Sequence, residues 1–323
     1  MRLSDMRLPS HAAGEHPSRV GKPGRSLAGS ATVRAPGVCG ELVQGMLGDA
    51  HFLVTCPIDL FSEVRVTLHR DGPGVAAPAG CHKSAAALTA TLAHLECGDL
   101  GARLSLRSPI PRSKGMGSSS ADVAATIAAA GLALGTKLLP KVVARIAASV
   151  EPTDGVMFPG IALMNHREGR ILESLGPPPP MEIIALDFGG TVDTVEFNSV
   201  DRRSIWQSMG TEVDRALRLV KDGMGRGDPG PIGEGATISA RAGQRVSPKP
   251  KLPAVLEFAE AMGAVGVNVG HSGTIIGVLL DARVQGGGAV FQQARQTFPD
   301  AEAIHRFRLL GGGLHQLRPD PAE

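Results

Sequence analysis

The sequence predicts an α+β protein built from two domains. Short segments that alternate apolar and polar residues, as strands do, are interspersed with helix-like segments but lack the regular strand–helix–strand repeat of a doubly wound sheet. Four consecutive prolines, Pro177–Pro180, can lie neither inside a helix nor in a central strand, so they mark a joint between domains. The 323 residues, 42% of them hydrophobic, are enough material for two cores.

The predicted elements divide into a tail and two domains. Residues 1–29 mix Arg, Lys, His, Gly, Pro and Ser without apolar periodicity and are predicted to be a disordered tail. The first domain, residues 30–176, is predicted to contain strands at 31–35, 51–56 and 63–69, an alternating run at 102–106, and helices at 82–96, 121–134 and 140–150. An apolar run at 161–164 and a short second run at 170–174 follow. The second domain, residues 177–323, is predicted to contain strands at 181–187, 192–197, 264–269, 273–280, 302–308 and 313–317, and helices at 201–222, 231–245, 252–262 and 288–297.

Composition argues against several classes of partner. The formal net charge is +2 and aromatic residues make up only 3% of the chain, so a nucleic-acid partner is not expected. No segment approaches the roughly 20 apolar residues of a membrane span, and the first residues lack the apolar core of a signal peptide, so a cytoplasmic protein without a membrane partner is predicted. The sequence carries no signal for the oligomeric state and leaves a homodimer open. The cysteines lack metal-binding or redox spacing and are predicted to be buried thiols: Cys39, Cys56, Cys81 and Cys97.

The strongest functional signal is the segment Pro111-Arg-Ser-Lys-Gly-Met-Gly-Ser-Ser-Ser120, which follows a predicted strand and opens a predicted helix. Glycine lets the backbone come close to a ligand, and the first turn of a helix presents N–H groups without internal partners, an arrangement that favours a phosphate. The three serines add hydroxyl groups, and Lys114 adds a positive charge. An ordinary serine N-cap after a glycine turn is the alternative, although a cap needs only one serine.

Two better-known phosphate loops do not fit this segment. It is not a P-loop, because Lys114 precedes the glycines instead of following them. It is not a dinucleotide-binding G-x-G-x-x-G, because Ser120 stands where the third glycine belongs.

The run from Pro111 to Ala121, Pro-x-x-x-Gly-Met-Gly-Ser-Ser-Ser-Ala, resembles the second signature of the GHMP kinases, the family of galactokinase, homoserine kinase and mevalonate kinase. The segments 35–45 and 266–274 resemble the first and third signatures, in the right order along the chain. On turn chemistry alone, each of these two segments is equally well a turn between strands. The resemblance implies the two-domain GHMP kinase fold, with an N-terminal ribosomal protein S5 domain 2-like domain and a C-terminal ferredoxin-like α/β sandwich.

The resemblance also implies which residues bind ATP. Several family members carry a lysine after the Pro-Gly of the first signature, where this sequence has Val38. Neutralisation of the phosphates is therefore expected from Lys114, Arg112 or the metal ion. The expected ATP-binding residues are Pro111, Arg112, Ser113, Lys114, Gly115, Met116, Gly117, Ser118, Ser119, Ser120 and Ala121.

A second group of expected site residues lies in the segment Glu151-Pro-Thr-Asp154. Asp154 matches the family position of a catalytic aspartate, which implies that it orients and deprotonates the acceptor hydroxyl. From spacing alone an Asx turn is an equal alternative, and some GHMP kinases work without a dedicated base. Ser119 and Glu151 are the expected ligands of Mg²⁺, although a solvated carboxylate at a helix end accounts equally well for Glu151.

The first and third signatures imply a substrate site. A carboxylate such as Glu41 is a natural partner for the ammonium group of an amino acid, with a structural ion pair to Arg34 as the alternative. His271 is placed beside a phosphate or the substrate carboxylate, or else is a hydrogen-bonded turn residue. The expected substrate-binding residues are Gly40, Glu41, Gln44, His271, Ser272 and Gly273.

Within the family, the first signature together with residues 55–59, 151–154 and 271–273 is similar to the L-threonine kinases that feed cobalamin side-chain assembly. The resemblance implies an enzyme that uses ATP and Mg²⁺ to convert L-threonine to O-phospho-L-threonine, the precursor of the aminopropanol linker. Two alternatives remain open at this stage. One is a kinase of the same family that acts on homoserine or another small alcohol, and the other is a non-catalytic nucleotide-binding regulator with the same fold.

Overall fold

The computed structural model describes residues 29–70, 72–190 and 199–318, and these residues form eleven strands and eight helices. The strands are β1 (Ser30–Leu47), β2 (Ala50–His69), β3 (Gly74–Ala76), β4 (Gly101–Arg107), β5 (Ile161–Asn165), β6 (Arg170–Gly176), β7 (Met181–Asp187), β8 (Gly266–Val269), β9 (Ile276–Asp281), β10 (Ala303–Arg308) and β11 (His315–Leu317). The helices are α1 (His82–His94), α2 (Ser118–Ala133), α3 (Pro140–Val150), α4 (Arg203–Ser208), α5 (Gly210–Arg226), α6 (Pro229–Gly243), α7 (Leu252–Ala261) and α8 (Gly287–Thr297).

The strands belong to one sheet, whose main path runs β10-β7-β9-β8-β1-β2-β4-β3. Strand β11 pairs with β1, β5 pairs with β2, and β6 pairs with β5. The described pairings are antiparallel, except that β3 and β4 are parallel. The second half of the chain runs β7, helices α4 to α7, β8, β9, α8 and β10. Its four strands lie side by side in the order β10-β7-β9-β8, which is a ferredoxin-like arrangement. The predicted α+β class is confirmed.

Strand β1 joins the two halves of the chain. Its residue Glu41 pairs with Val269 of β8, and its first residues pair with residues 315–317 of β11. The largest core cluster also contains buried side chains from both halves. The domain boundary at Pro177 stays a prediction, since the sheet and the core both continue across it.

Strands β1 and β2 are longer than the sequence predicts. The strand predicted at 31–35 continues through the first signature to Leu47, and the strands predicted at 51–56 and 63–69 are one strand, β2. Register shifts between Pro36 and Val43 interrupt the regular pairing of β1 with β2 without ending it. At a β-bulge, extra residues on one strand are left unpaired while the pairing continues on both sides. A turn between strands is therefore wrong for the first signature, whereas residues 270–274 of the third signature do lie in the connection between β8 and β9.

The helix predicted at 201–222 is wrong as a single element. Helix α4 ends at Ser208 and α5 begins at Gly210, with the buried Met209 between them. The apolar periodicity that indicates helices continues through such a break and so does not reveal it. The strand predicted at 192–197, and the tail predicted at 1–29 apart from Gly29, lie outside the described residues.

Two predictions from composition can be compared with the structure. All four cysteines are free and buried, as predicted. Among the described helices, none combines the length and the apolar character needed to cross a bilayer.

Three glycine-containing segments meet beside α2, and we call them together the glycine junction: residues 38–40 of β1, residues 114–117 before α2, and residues 270–275 between β8 and β9. The N–H group of Gly40 donates to the carbonyl of Gly115 at 3.2 Å, which joins the first segment to the second. The N–H groups of Thr274 and Ile275 both donate to the carbonyl of Lys114 at 3.0 Å, which joins the third segment to the second. Backbone hydrogen bonds therefore connect all three family signatures.

The glycines of the glycine junction lie too close to neighbouring backbone to be replaced by residues with a side chain. A Cβ atom on Gly273 would lie 2.1 Å from the backbone nitrogen of Gly115, and a Cβ atom on Gly40 would lie 2.4 Å from the carbonyl oxygen of Val269. Gly40 and Gly115 also have φ angles of +60° and +83°, in the region that favours glycine. Glycine is required here because the atoms it faces are backbone atoms, which cannot rotate away.

Replacing Gly273 by Ala is expected to lower the free energy of unfolding by about 1–3 kcal/mol, because the added methyl group must displace the backbone before α2. Urea unfolding followed by circular dichroism measures this change. The matched control is Gly286→Ala, since a Cβ atom at Gly286 meets no atom within 4 Å. Equal stability of the two variants would contradict the close packing of the glycine junction.

Candidate active site

The N-terminus of α2 opens into a cavity of about 290 Å³. Both halves of the chain contribute to its wall, because the glycine junction brings β1 and the loop after β8 against the loop before α2. Thirteen of the predicted site residues line this cavity: Glu41, Arg112, Ser113, Gly115, Met116, Gly117, Ser118, Ser119, Ser120, Glu151, Asp154, His271 and Ser272.

Helix α2 begins without a capping side chain. Its N-cap is Gly117, in a left-handed conformation with φ 62° and ψ 25°, and no side chain accepts a hydrogen bond from the first turn. The serine N-cap considered from the sequence is therefore wrong, and the three serines are available for other contacts. The N–H groups of the first turn cannot have partners within the helix, so they and the helix dipole favour an anion at this end of the cavity.

Ser119 and Glu151 are in direct contact across the cavity. The Ser119 hydroxyl donates to Oε1 of Glu151, and the Lys83 ammonium lies 2.5 Å from Oε2 of the same carboxylate. The Glu151 side chain is only 3% exposed, so it is not the solvated helix-end carboxylate considered as an alternative. A buried carboxylate beside a hydroxyl provides the hard oxygen ligands that Mg²⁺ prefers. These residues therefore fit the metal that the sequence implies.

Asp154 lies directly against the start of α2. Its Oδ2 atom is 2.9 Å from the position that a Cβ atom on Gly117 would occupy, and its backbone N–H donates to the Ser120 hydroxyl at 3.0 Å. No N–H group of residues 155–157 donates to its carboxylate, so the Asx-turn alternative finds no support. Burial is the main cause that raises the pKa of Asp154 to about 6; a hydrogen bond with Ser120 opposes this shift, and the negative charge of Glu151 adds to it. A carboxylate with this pKa is suited to accept a proton near neutral pH.

Glu41 is a buried carboxylate without a salt bridge among the described residues. It is 4% exposed, and its Oε2 atom has no hydrogen-bond partner in the described part of the chain. Burial, and after it the negative charge of Asp154, raises the pKa of Glu41 well above its usual range. The ion pair with Arg34 is not formed, since the Arg34 guanidinium lies 4.6 Å from the centre of the Phe61 ring. A buried carboxylate of this kind favours a cationic ligand.

Gln44 and His271 form a hydrogen-bonded pair next to Glu41. The Nδ1 atom of His271 is 2.6 Å from Oε1 of Gln44, and the imidazole stacks on Trp206 with 5.8 Å between ring centres. His166 contacts the same imidazole edge-on at 5.2 Å. Burial, followed by the positive charges of His166 and Lys249, lowers the pKa of His271 well below its usual range. His271 is therefore a neutral hydrogen-bonding group at ordinary pH.

Six predicted site residues do not line the cavity: Gly40, Gln44, Pro111, Lys114, Ala121 and Gly273. Gly40 and Gly273 belong to the glycine junction, and Gln44 positions His271. The Lys114 ammonium is bound by the carboxylates of Asp187 at 2.8 Å and Glu302 at 3.0 Å. A phosphate-binding role for Lys114 stays a prediction that requires these two ion pairs to break.

Sequence reasoning missed three side chains of the site. Lys83, at the start of α1, lines the cavity but follows no recognisable motif. His166 also lines it, and the sequence around it carries no H-x-x-x-H or similar metal-binding spacing. Trp206 stacks on His271, and its being the only tryptophan of the chain is the one signal that could have drawn attention to it.

Comparisons with known proteins agree with this geometry. Residues 81–160, which contain α1, α2 and the segment from Glu151 to Asp154, match the N-terminal domain of the GHMP kinases. The chain is 34% identical over 259 residues to an L-threonine kinase of Salmonella typhimurium, an alignment that covers 78% of this chain and 84% of the relative. It is 33% identical over 258 residues to an L-threonine kinase of Citrobacter freundii, covering 78% of this chain and 86% of the relative.

A solved structure extends the similarity to the whole fold. The homoserine kinase of Cytophaga hutchinsonii superposes with a TM-score of 0.72 at 19% identity, over 91% of this chain and 99% of that chain. At this level of identity the superposition supports the fold alone. The assignment to a family rests on the higher identity to the two L-threonine kinases. The chain therefore belongs to the GHMP kinase family and is a kinase.

Proposed function

We propose that this protein transfers the γ-phosphoryl group of ATP to the hydroxyl group of L-threonine, giving O-phospho-L-threonine and ADP. The observation that carries the proposal is one cavity that holds the open N-terminus of α2, the Asp154 carboxylate and the Glu41 carboxylate. The names of the two relatives with about one third identity support threonine as the acceptor. A role of the product in cobalamin assembly is part of the proposal and rests on the signature residues.

The nucleotide is assigned to the end of the cavity formed by residues 112–120. The first-turn N–H groups of α2 and the serine hydroxyls bind phosphate oxygens there. Ser119 and Glu151 would hold Mg²⁺, which would offset the negative charge of the phosphoryl group. Catalysis then depends on positioning and charge neutralisation rather than on a covalent intermediate.

The acceptor is assigned to the other end, between Asp154, Glu41 and His271. The Glu41 carboxylate binds the ammonium group of threonine, and His271 and Ser272 face its carboxylate. Asp154 takes the hydroxyl proton while the acceptor oxygen forms its bond to the γ-phosphorus and the bond from that phosphorus to the bridging oxygen of ADP breaks. Gln44 acts by holding the His271 imidazole in place.

A coupled assay of ADP release with L-threonine, L-serine and L-homoserine tests the acceptor. L-Threonine is expected to give the highest kcat/KM, about tenfold or more above L-serine, because one methyl group in a fitted pocket is worth roughly 1–3 kcal/mol. Phosphorus NMR should identify a phosphate monoester of the threonine hydroxyl. A preference for homoserine would identify the sibling acceptor, and nucleotide binding without turnover on any of the three would favour the regulator.

Replacing Asp154 by Asn is expected to lower kcat by about 10²–10⁴-fold, because the amide cannot accept the hydroxyl proton. Nucleotide affinity should change far less, which fluorescence titration with an ATP analogue measures. Because the Asp154 pKa is raised to about 6, kcat/KM of the parent should fall as the pH decreases through that value. An unchanged kcat, or the same acid limb in the residual activity of the variant, would remove Asp154 from the role of base.

Binding of L-threonine is expected to release about one proton near neutral pH, because the ammonium group favours the ionised form of a Glu41 side chain whose pKa is raised in the empty site. Calorimetry with a non-hydrolysable ATP analogue present, in buffers of different ionisation enthalpy, measures this release. Glu41→Gln should abolish it and weaken threonine binding, whereas the exposed Glu257→Gln serves as control. Equal proton release in parent and Glu41→Gln would place the ammonium group elsewhere.

A further inference from the structure

Lys83 occupies an unusual position in the nucleotide end of the cavity. It is the second residue of α1, and its ammonium lies 2.5 Å from Oε2 of Glu151. The other oxygen of this carboxylate accepts the hydrogen bond from Ser119. Lys83 is therefore separated from the start of α2 by a single carboxylate group, and its side chain is only 32% exposed.

Other cationic side chains are less suited to a phosphate at this place. The first signature has Val38 where several family members carry a lysine, and Lys114 is bound by two carboxylates outside the cavity wall. Arg112 does line the cavity, but its side chain is 58% exposed, and its guanidinium contacts the Gly80 carbonyl and, at 3.9 Å, Asp122. Among the described residues that line the cavity, the one lysine is Lys83 and the one arginine is Arg112. Of these two, Lys83 contacts the Ser119–Glu151 pair.

The position of Lys83 has a consequence for binding. Glu151 is a buried carboxylate, and the Lys83 ammonium is the cation paired with it. A divalent ion that binds the same carboxylate competes with the ammonium and frees it. The freed Lys83 ammonium would then lie beside the phosphates of the nucleotide, whose negative charge exceeds the positive charge of one divalent ion. Lys83 would therefore exchange the Glu151 carboxylate for phosphate oxygens.

We propose that Lys83 is the phosphate-neutralising lysine of this site, and that it reaches the nucleotide by exchanging Glu151 with the metal. The proposal rests on the nucleotide and metal assignments above and deepens them. No bond is made or broken in the exchange, which moves one ammonium group from a carboxylate to phosphate oxygens. Lys83 thereby replaces the lysine that the first signature lacks.

The test uses Lys83→Met, which keeps the length of the side chain and removes its charge, with Lys141→Met as the matched control on the exposed side of α3. Without nucleotide, Mn²⁺ titration followed by electron paramagnetic resonance should show about tenfold tighter metal binding to Lys83→Met, since its competitor for Glu151 is gone. With metal present, a non-hydrolysable ATP analogue should bind about tenfold more weakly, because the phosphates lose a cation. Lys83→Arg should retain most of the nucleotide affinity.

A purely structural ion pair would not move the two affinities in opposite directions. Unchanged Mn²⁺ and nucleotide affinities in a folded Lys83→Met variant would overturn the proposal, and so would weakening of both. Should Lys83→Met fail to fold, Lys83→Gln under the same titrations decides the question. These titrations need no acceptor, so they test the Lys83 proposal separately from the proposed function. A parent protein that binds the ATP analogue but phosphorylates no amino acid would refute the proposed function. The Lys83 proposal would still be decided by its own titrations.

Discussion

The contact between the backbones at Gly115 and Gly273 is the constraint on which the rest of the site depends. It holds the loop before α2 against the loop after β8, and hydrogen bonds to the Lys114 carbonyl from residues 274 and 275 keep it in register. Because the atoms in contact are backbone atoms, the distance between the two halves of the chain is set without adjustable side chains. The cavity between them can therefore combine the N-terminus of α2 from one half with a histidine from the other.

The electrostatics of the cavity follow from burial. Three carboxylates line the cavity, and the negative charge of Glu151 raises the pKa of Asp154, whose own negative charge raises the pKa of Glu41. Glu151 is compensated by Lys83, whereas Glu41 has no cation among the described residues. The proposed ligands supply what is missing, since a divalent ion satisfies the first carboxylate and an ammonium group the last. Asp154, between them, keeps a pKa near the range in which a base is useful.

The second signature could be interpreted from sequence because its chemistry is local. Two glycines, three serines and an alanine-rich helix specify a loop and a helix start within a dozen residues, and the structure places them at the cavity. The ion pairs of Lys83 and Lys114 could not be interpreted in this way. Their partners lie 68 residues away for Lys83 and up to 188 residues away for Lys114, so no spacing connects them. The break between α4 and α5 at Met209 could not be predicted for a related reason, because it depends on what Met209 packs against in the folded chain.

The sequence by itself determined the α+β class, the positions of the family signatures and the likeness to kinases, because those follow from local backbone preferences and from the order of short motifs. Only the tertiary structure decided that the first signature is part of a bulged strand, that Lys114 is bound to carboxylates outside the cavity wall, and that Lys83 contacts Glu151. The physical reason is that charge and hydrogen-bond partners are chosen by proximity in the folded chain. Proximity of that kind arises only when the glycine junction brings distant segments together.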